Sequence, residues 1–360
     1  MPARSELRIA VVGAGRMGAD HVARITDRIS GAVVSAVVDV DDARAAAAVE
    51  RAPGAVALPR LEDALDRGIV DAVIIATPGR FHEPVLVPAL AAGLPILCEK
   101  PLTPDPESSL RIVELEQETG RPLIQVGFMR RFDAEYMQLR DLIISGDAGH
   151  LLAMHCAHRN QSSGEGYDDS MLMTDSVVHE FDVVPWLVGE PIVSVEVRKG
   201  RRNSLAPEWL HDPQMVLLET KSGVLVDVEI NVNAQFGYQV TTEAVFERGI
   251  AEIGRPTGLA LWRDARRSVA EHTTFTTRFA SAYDLQIQSW VAAAERGAID
   301  GPSAWDGYRA AVLCAAAVEA QSTGSRLEVQ YAEMPAAYAR SASGSPPDAH
   351  PEPTQLSNKE

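Results

Sequence analysis

The first apolar run of the chain, Ile9 to Val12, closes in Gly13-Ala14-Gly15-Arg16-Met17-Gly18, and the second, Val33 to Val38, closes in Asp39, 21 residues after Gly18. Few folds accept that order. Gly13 permits a tight strand-to-helix turn, Gly15 lets the backbone approach a pyrophosphate, and Gly18 lets the next helix lie close to the strand. The helix that begins at Arg16 and Met17 offers amide donors and partial positive charge to an anion. Asp39 would accept hydrogen bonds from the two hydroxyls of an adenosine ribose and would repel a 2′-phosphate. Val40-Asp41-Asp42 beyond it carries no arginine to receive one. NAD, rather than NADP, is the expected cofactor.

The rest of the first third repeats this grammar. Apolar runs at Leu7–Val12, Val33–Val38, Ala72–Ala76, Ile96–Cys98 and Leu123–Val126 read as buried parallel strands. Between them lie helical stretches such as the alanine-rich Asp42–Arg51 and Glu83–Ala92, the latter stopped by Gly93. Such alternation predicts a doubly wound sheet with its ligand at the carboxyl ends of the strands.

From about residue 151 the pattern changes to period-two alternation. Leu151–His158, Val193–Arg198, Met215–Thr220, Leu225–Val232 and Val240–Glu247 read as strands of a mostly antiparallel open sheet, with Ser222-Gly223 as a hairpin turn. One face of that sheet should be buried and the other exposed or held against a partner. Helices return at Asp284–Arg296 and Ser303–Ser322, where they can pack back on the first domain. The predicted fold class is α/β: an N-terminal Rossmann domain over residues 1–126 and an α+β substrate and oligomerisation domain over 127–335. The polar, proline-rich segment 341–360 is expected to be disordered.

Bulk properties set limits. With 33 basic and 50 acidic residues the formal net charge is −17, which argues against nucleic acid or an anionic membrane as partner. No apolar leader precedes the first strand, and no stretch approaches the roughly 18 apolar residues of a membrane span. A cytoplasmic protein is expected. Cys98, Cys156 and Cys314 are far apart and each lies in an apolar stretch, so they read as reduced, buried thiols.

Two further segments carry candidate chemistry. In Leu97-Cys98-Glu99-Lys100-Pro101, Lys100 stands at the carboxyl end of a central strand, where nicotinamide and substrate would meet, and Pro101 allows a cis bond. In Thr174-Asp175-Ser176-Val177-Val178-His179, Asp175 and His179 are four apart and share a face on a helix. Such a pair suits alcohol oxidation: the carboxylate orients the imidazole, and His179 removes the hydroxyl proton. Asp182 could join those two around a metal, but no His-Glu-x-x-His and no nearby cysteine supports a site, so no metal is expected.

With fingerprint, Glu-Lys-Pro and Asp-x-x-x-His in this order, the chain resembles the Gfo/Idh/MocA oxidoreductases over residues 7 to about 329. Gln125-Val126-Gly127-Phe128-Met129-Arg130-Arg131-Phe132-Asp133, His155-Cys156-Ala157-His158-Arg159-Asn160 and Trp305-Asp306-Gly307-Tyr308 favour its inositol-oxidising branch. The resemblance implies that Lys100 bonds the reacting hydroxyl and that His179 is the base with Asp175 as its partner. It also implies that Arg130, His158, Asn160 and Tyr238 bind the other ring hydroxyls. Thr77 and His82 would line the cofactor site with Glu99. The implied reaction is NAD-dependent oxidation of a secondary alcohol of a cyclitol, myo-inositol first, by a homotetramer joined through the open sheet. Another cyclitol, an amino-cyclitol or an aldose is the nearest alternative substrate. A regulator that binds dinucleotide and sugar without turnover is the alternative from another class.

Overall fold

Strand β1 (Leu7–Val12) is apolar along its length because both of its faces are covered: Ile9, Ala10 and Val11 are all fully buried. The computed structural model, which describes residues 6–256 and 258–339, sets it inside a six-stranded sheet. The other strands are β2 (Ala32–Val38), β3 (Val56–Leu58), β4 (Ala72–Ile75), β5 (Ile96–Cys98) and β6 (Ile124–Val126). The order is β3-β2-β1-β4-β5-β6 with every pair parallel, so strand order reverses at β1 and opens the crevice where such sheets bind ligands. The edge strand β3, three residues long with only Leu58 buried, has no counterpart in the sequence reading.

The second sheet contains β7 (Leu151–Arg159), β8 (Ile192–Lys199), β9 (Gln214–Thr220), β10 (Leu225–Asn231), β11 (Gln239–Phe246) and β12 (Gly249–Ile253). A separate hairpin, β13 (Ala260–Arg263) and β14 (Arg266–Val269), follows, and the short β15 (Leu327–Glu328) completes the main sheet. The order is β12-β11-β7-β10-β9-β8-β15. Only the central pair β7 and β10 is parallel; the other neighbours are antiparallel, and Gly223 (φ +90°) makes the β9–β10 turn. The alternation read in β10 is real: Val226, Val228 and Ile230 are buried. Asp227 and Glu229 face the other way, beside the exposed Leu217 and Leu225.

The two late helices join the halves. Helix Ala280–Ala294 begins four residues before the expected Asp284 and buries Ile287, Trp290 and Val291 against the side of the first sheet that carries Ile9, Val11 and Ile74. Helix Ala304–Thr323 starts on a Ser303–Asp306 capping box. Its Gly307 lies so near Leu102 and Val126 that a Cβ would come within 2.8 Å of Leu102. Its other side packs on helix Val178–Val188 and β8. The three cysteines are free and buried. Among the described residues no helix is long and apolar enough to cross a membrane. Segment 341–360, expected to be disordered, lies outside the described residues.

Candidate active site

A cleft of about 550 Å³ opens between the carboxyl ends of β1 and β5 on one side and β7 with the helical segment 172–188 on the other. Arg16, Met17, Glu99 and Lys100 line it from the first half; His158, Asn160, Asp175, His179 and Tyr238 line it from the second.

The glycine turn fits a pyrophosphate. Gly13 has φ +93° and a Cβ there would meet Thr77 N at 2.7 Å; at Gly18 a Cβ would lie 1.7 Å from the Gly13 carbonyl oxygen. These two glycines are required by the protein's own backbone. Around Gly15, by contrast, no described atom beyond the residue itself and its chain neighbours lies within 4 Å of the Cβ position, which leaves room for a ligand. No side chain caps the helix at Gly15, so its first amides are available to an anion. Asp39 accepts from the backbone N–H of Ala14 (2.7 Å) and of Asp41 (2.8 Å) at the end of β2. The expectation of no arginine there holds for Val40-Asp41-Asp42 but fails in space. Arg44, on the first turn of helix Asp42–Arg51, brings Nη2 to 3.3 Å from Asp39.

Glu99 lines the cleft and is held by the buried His21, whose Nε2 lies 2.7 Å away, a partner that no local spacing announced. The Thr77 hydroxyl is buried with no partner among the described residues. His82 is fully buried and does not line the cleft. Its Nε2 meets the Thr77 carbonyl at 2.8 Å and its Nδ1 the Pro101 carbonyl at 2.8 Å, tying the turn after β4 to the one after β5.

The Lys100–Pro101 bond is cis. Lys100 Nζ donates to Asp175 Oδ1 at 2.6 Å and to the Asp175 carbonyl at 3.0 Å. The expected Asp175–His179 pair is therefore not made. Asp175 lies in the π-helical stretch Leu172–Val177, ahead of the α-helix Val178–Val188 that carries His179, and its carboxylate is taken by Lys100 instead. The Lys100 ammonium holds the Asp175 carboxyl below its ordinary range. The His179 Nδ1 is buried without a partner among the described residues, and the ring meets Phe128 edge-on at 6.3 Å and His158, tilted, at the same distance. Burial, reinforced by Arg130 and Lys100, pushes the imidazole well below its ordinary pKa, so it is neutral near pH 7.

The Asn160 Oδ1 is likewise buried and unpartnered among the described residues, while its backbone is pinned by an N–H bond to Asn231 O at 2.9 Å. Tyr238 stands edge-on to His158 at 6.1 Å. Arg130 differs from expectation, being 1% exposed and bonded to Glu180 and to His158 Nδ1, behind the cleft wall rather than on it. Glu180 was not singled out in the sequence. Nor were Met129, Phe275 and Tyr283, which also line the cleft, Phe275 lying under the Arg16 guanidinium at 4.6 Å. Asp182 is held by Arg131 at 2.5 and 2.9 Å. Among the described residues no cluster of three His, Cys, Asp or Glu side chains could hold a metal.

A doubly wound sheet with a glycine turn fit for a pyrophosphate, joined to a second half whose helix Val178–Val188 brings a neutral imidazole into the cleft that Lys100 also lines, defines a dinucleotide-dependent oxidoreductase. Residues 7–128 match the NAD-binding Rossmann fold of the Gfo/Idh/MocA oxidoreductase family, and residues 140–329 match that family's C-terminal alpha/beta domain. The chain belongs to this family, and its cofactor is NAD. It is 62% identical over 334 residues to an inositol 2-dehydrogenase of Corynebacterium glutamicum (strain R), covering 92% of this chain and 99% of that protein. It is 60% identical over 340 residues to an inositol 2-dehydrogenase of Leifsonia xyli subsp. xyli, covering 94% and 100%. A crystal structure of myo-inositol dehydrogenase from Lactobacillus casei, in complex with NAD(H) and myo-inositol, superposes with a TM-score of 0.90 at 33% identity, covering 92% of this chain and 99% of that one.

Proposed function

We propose that the chain oxidises a secondary ring alcohol of a cyclitol, converting myo-inositol to its 2-keto product, scyllo-inosose. The observation that carries the reading is the meeting of Lys100, Asp175 and His179 in one cleft beside the glycine turn. The names of the relatives and the ligands of the Lactobacillus casei structure support the same substrate.

NAD bound on the glycine turn supplies the acceptor for the hydride that leaves the ring carbon. His179, neutral because it is buried among cations, takes the hydroxyl proton as the C–O bond becomes a carbonyl. Lys100 donates a hydrogen bond to the same oxygen and stabilises the negative charge developing there, a contribution of roughly 3 kcal/mol by analogy with single oxyanion donors. Asp175 acts through Lys100, fixing the position of the ammonium. Asn160, with its unpaired carbonyl oxygen, and His158 and Tyr238 beside it, receive the remaining hydroxyls. Many neutral hydroxyls need many such partners.

A homotetramer joined through the exposed face of the second sheet belongs to the same reading, since Leu217 and Leu225 are 40% and 60% exposed there. Light scattering on the purified chain tests it, and a monomer would refute it. The activity is tested by following NADH formation with myo-inositol, other cyclitols, aldoses and amino-cyclitols, with NAD and NADP side by side. NADH from myo-inositol is expected. Nucleotide binding with no turnover across the panel would overturn the reading in favour of a binding protein.

A further inference from the structure

His158 lines the cleft, and Arg130 and Glu180 lie behind it; the three are buried together at 3, 1 and 2% exposure. Arg130 comes from the turn after β6, Glu180 from helix Val178–Val188 beside His179, and His158 from β7. The guanidinium gives Nη1–H to Glu180 Oε1 and Nη2–H to His158 Nδ1 at 3.1 Å. The second Glu180 oxygen lies 3.4 Å from the same Nδ1.

An arginine N–H is only ever a donor. For this contact to be a hydrogen bond, His158 Nδ1 has to offer its lone pair, which leaves the ring proton on Nε2. Were Nδ1 protonated, two donors would face each other, and Arg130, whose Nε already lacks a partner among the described residues, would bury a second unsatisfied N–H. The rival arrangement gives Nδ1–H to Glu180. It uses the longer contact and, if Nε2 is protonated too, sets a second cation 3.1 Å from the guanidinium.

We propose that Arg130, anchored by Glu180, locks His158 in the Nε2–H tautomer and so makes it a fixed hydrogen-bond donor to the substrate. Arg130 and Glu180 are then positioning residues that never touch the ligand. A ring hydroxyl meeting His158 accepts that bond with its lone pair. A protonated amine at the same ring position has no lone pair, so the site selects neutral cyclitols over those that present an ammonium there. The identity of the ligand rests on the proposed function; the tautomer does not.

The test is nitrogen NMR of the full chain labelled with 15N-histidine, with the His158 signals assigned by their loss in His158→Gln. The wild-type protein is expected to show an unprotonated Nδ1 and a protonated Nε2. Arg130→Gln should mix the tautomers, and Arg130→Lys should restore the lock. In Arg130→Gln the KM for myo-inositol should rise about tenfold, the equivalent of one hydrogen bond. Its kcat should stay within about threefold, and its NAD affinity should be unchanged. A protonated Nδ1 in the wild-type spectrum overturns the proposal, and that spectrum decides the matter even if the variants do not fold. So does an Arg130→Gln protein that binds NAD normally and keeps both tautomer and KM. A wild-type protein that shows the Arg130-dependent Nε2–H form yet oxidises no inositol would sink the substrate reading and leave the lock standing.

Discussion

Gly18 has no room for a methyl group, because its Cβ would lie 1.7 Å from the carbonyl oxygen of Gly13. Gly18→Ala should lower stability by about 1–3 kcal/mol as the helix is pushed off the turn. It should also weaken NAD binding, because the helix amides move with it. Thermal melts with and without NAD read both effects. His179→Ala should retain NAD affinity while kcat falls by about 10²–10⁴-fold, the usual range for losing a general base. The pH dependence follows from the sign of its shift. Oxidation needs the neutral ring, so kcat/KM rises with pH through the imidazole pKa, and burial has moved that pKa well below 6.5. The profile should therefore be level through neutrality, with its acid limb well under pH 6.5. A limb centred at or above that value would exclude His179 as the base of the free enzyme.

The element that presents Asp175 to Lys100 is the π-helical stretch Leu172–Val177. Deleting Thr174 should return the stretch to α winding and swing Asp175 away. The kcat/KM for inositol should then fall about a hundredfold, as expected for a misplaced catalytic partner, while the melting temperature changes little. Kinetics and a melt on the same preparation check this. The glycine turn and five of the six strands of the first sheet, β3 with two of its three residues exposed being the exception, were legible in the sequence because their demands are local: buried parallel strands are continuous apolar runs, and glycine needs arise within one turn. The winding of 172–177 was not, since spacing cannot reveal an i→i+5 pattern. Arg130 was read as touching substrate because its counter-ion Glu180 lies 50 residues further on, and only the fold brings the two together. Arg44 escaped because it is reached by the first turn of a helix rather than by the strand end. The hairpin β13–β14, with little apolar alternation, left no signal to read.

At the scale of the whole molecule, the chain's late segments hold the two halves together. Glu116, at the end of helix Pro106–Glu118, is buried and accepts from the N–H groups of Leu123 (2.7 Å) and Ile124 (2.5 Å) and from the Tyr338 hydroxyl. Tyr338 also stacks on Trp305 of helix Ala304–Thr323. Tyr338→Phe strips one donor from a buried carboxyl and should cost about 1–3 kcal/mol, measured as a lower urea midpoint with an unchanged slope. Inositol turnover below the transition should be unaffected, because neither residue lines the cleft.

Helix Ala304–Thr323 is also the clamp whose Gly307 seats on Leu102 and Val126. A polypeptide emerging from the ribosome can complete both sheets except for β15 before that clamp exists, with an oily flank still bare to solvent. A message cut short ahead of codon 304 should thus yield no partly active enzyme, only a sticky product fit for chaperones and proteases.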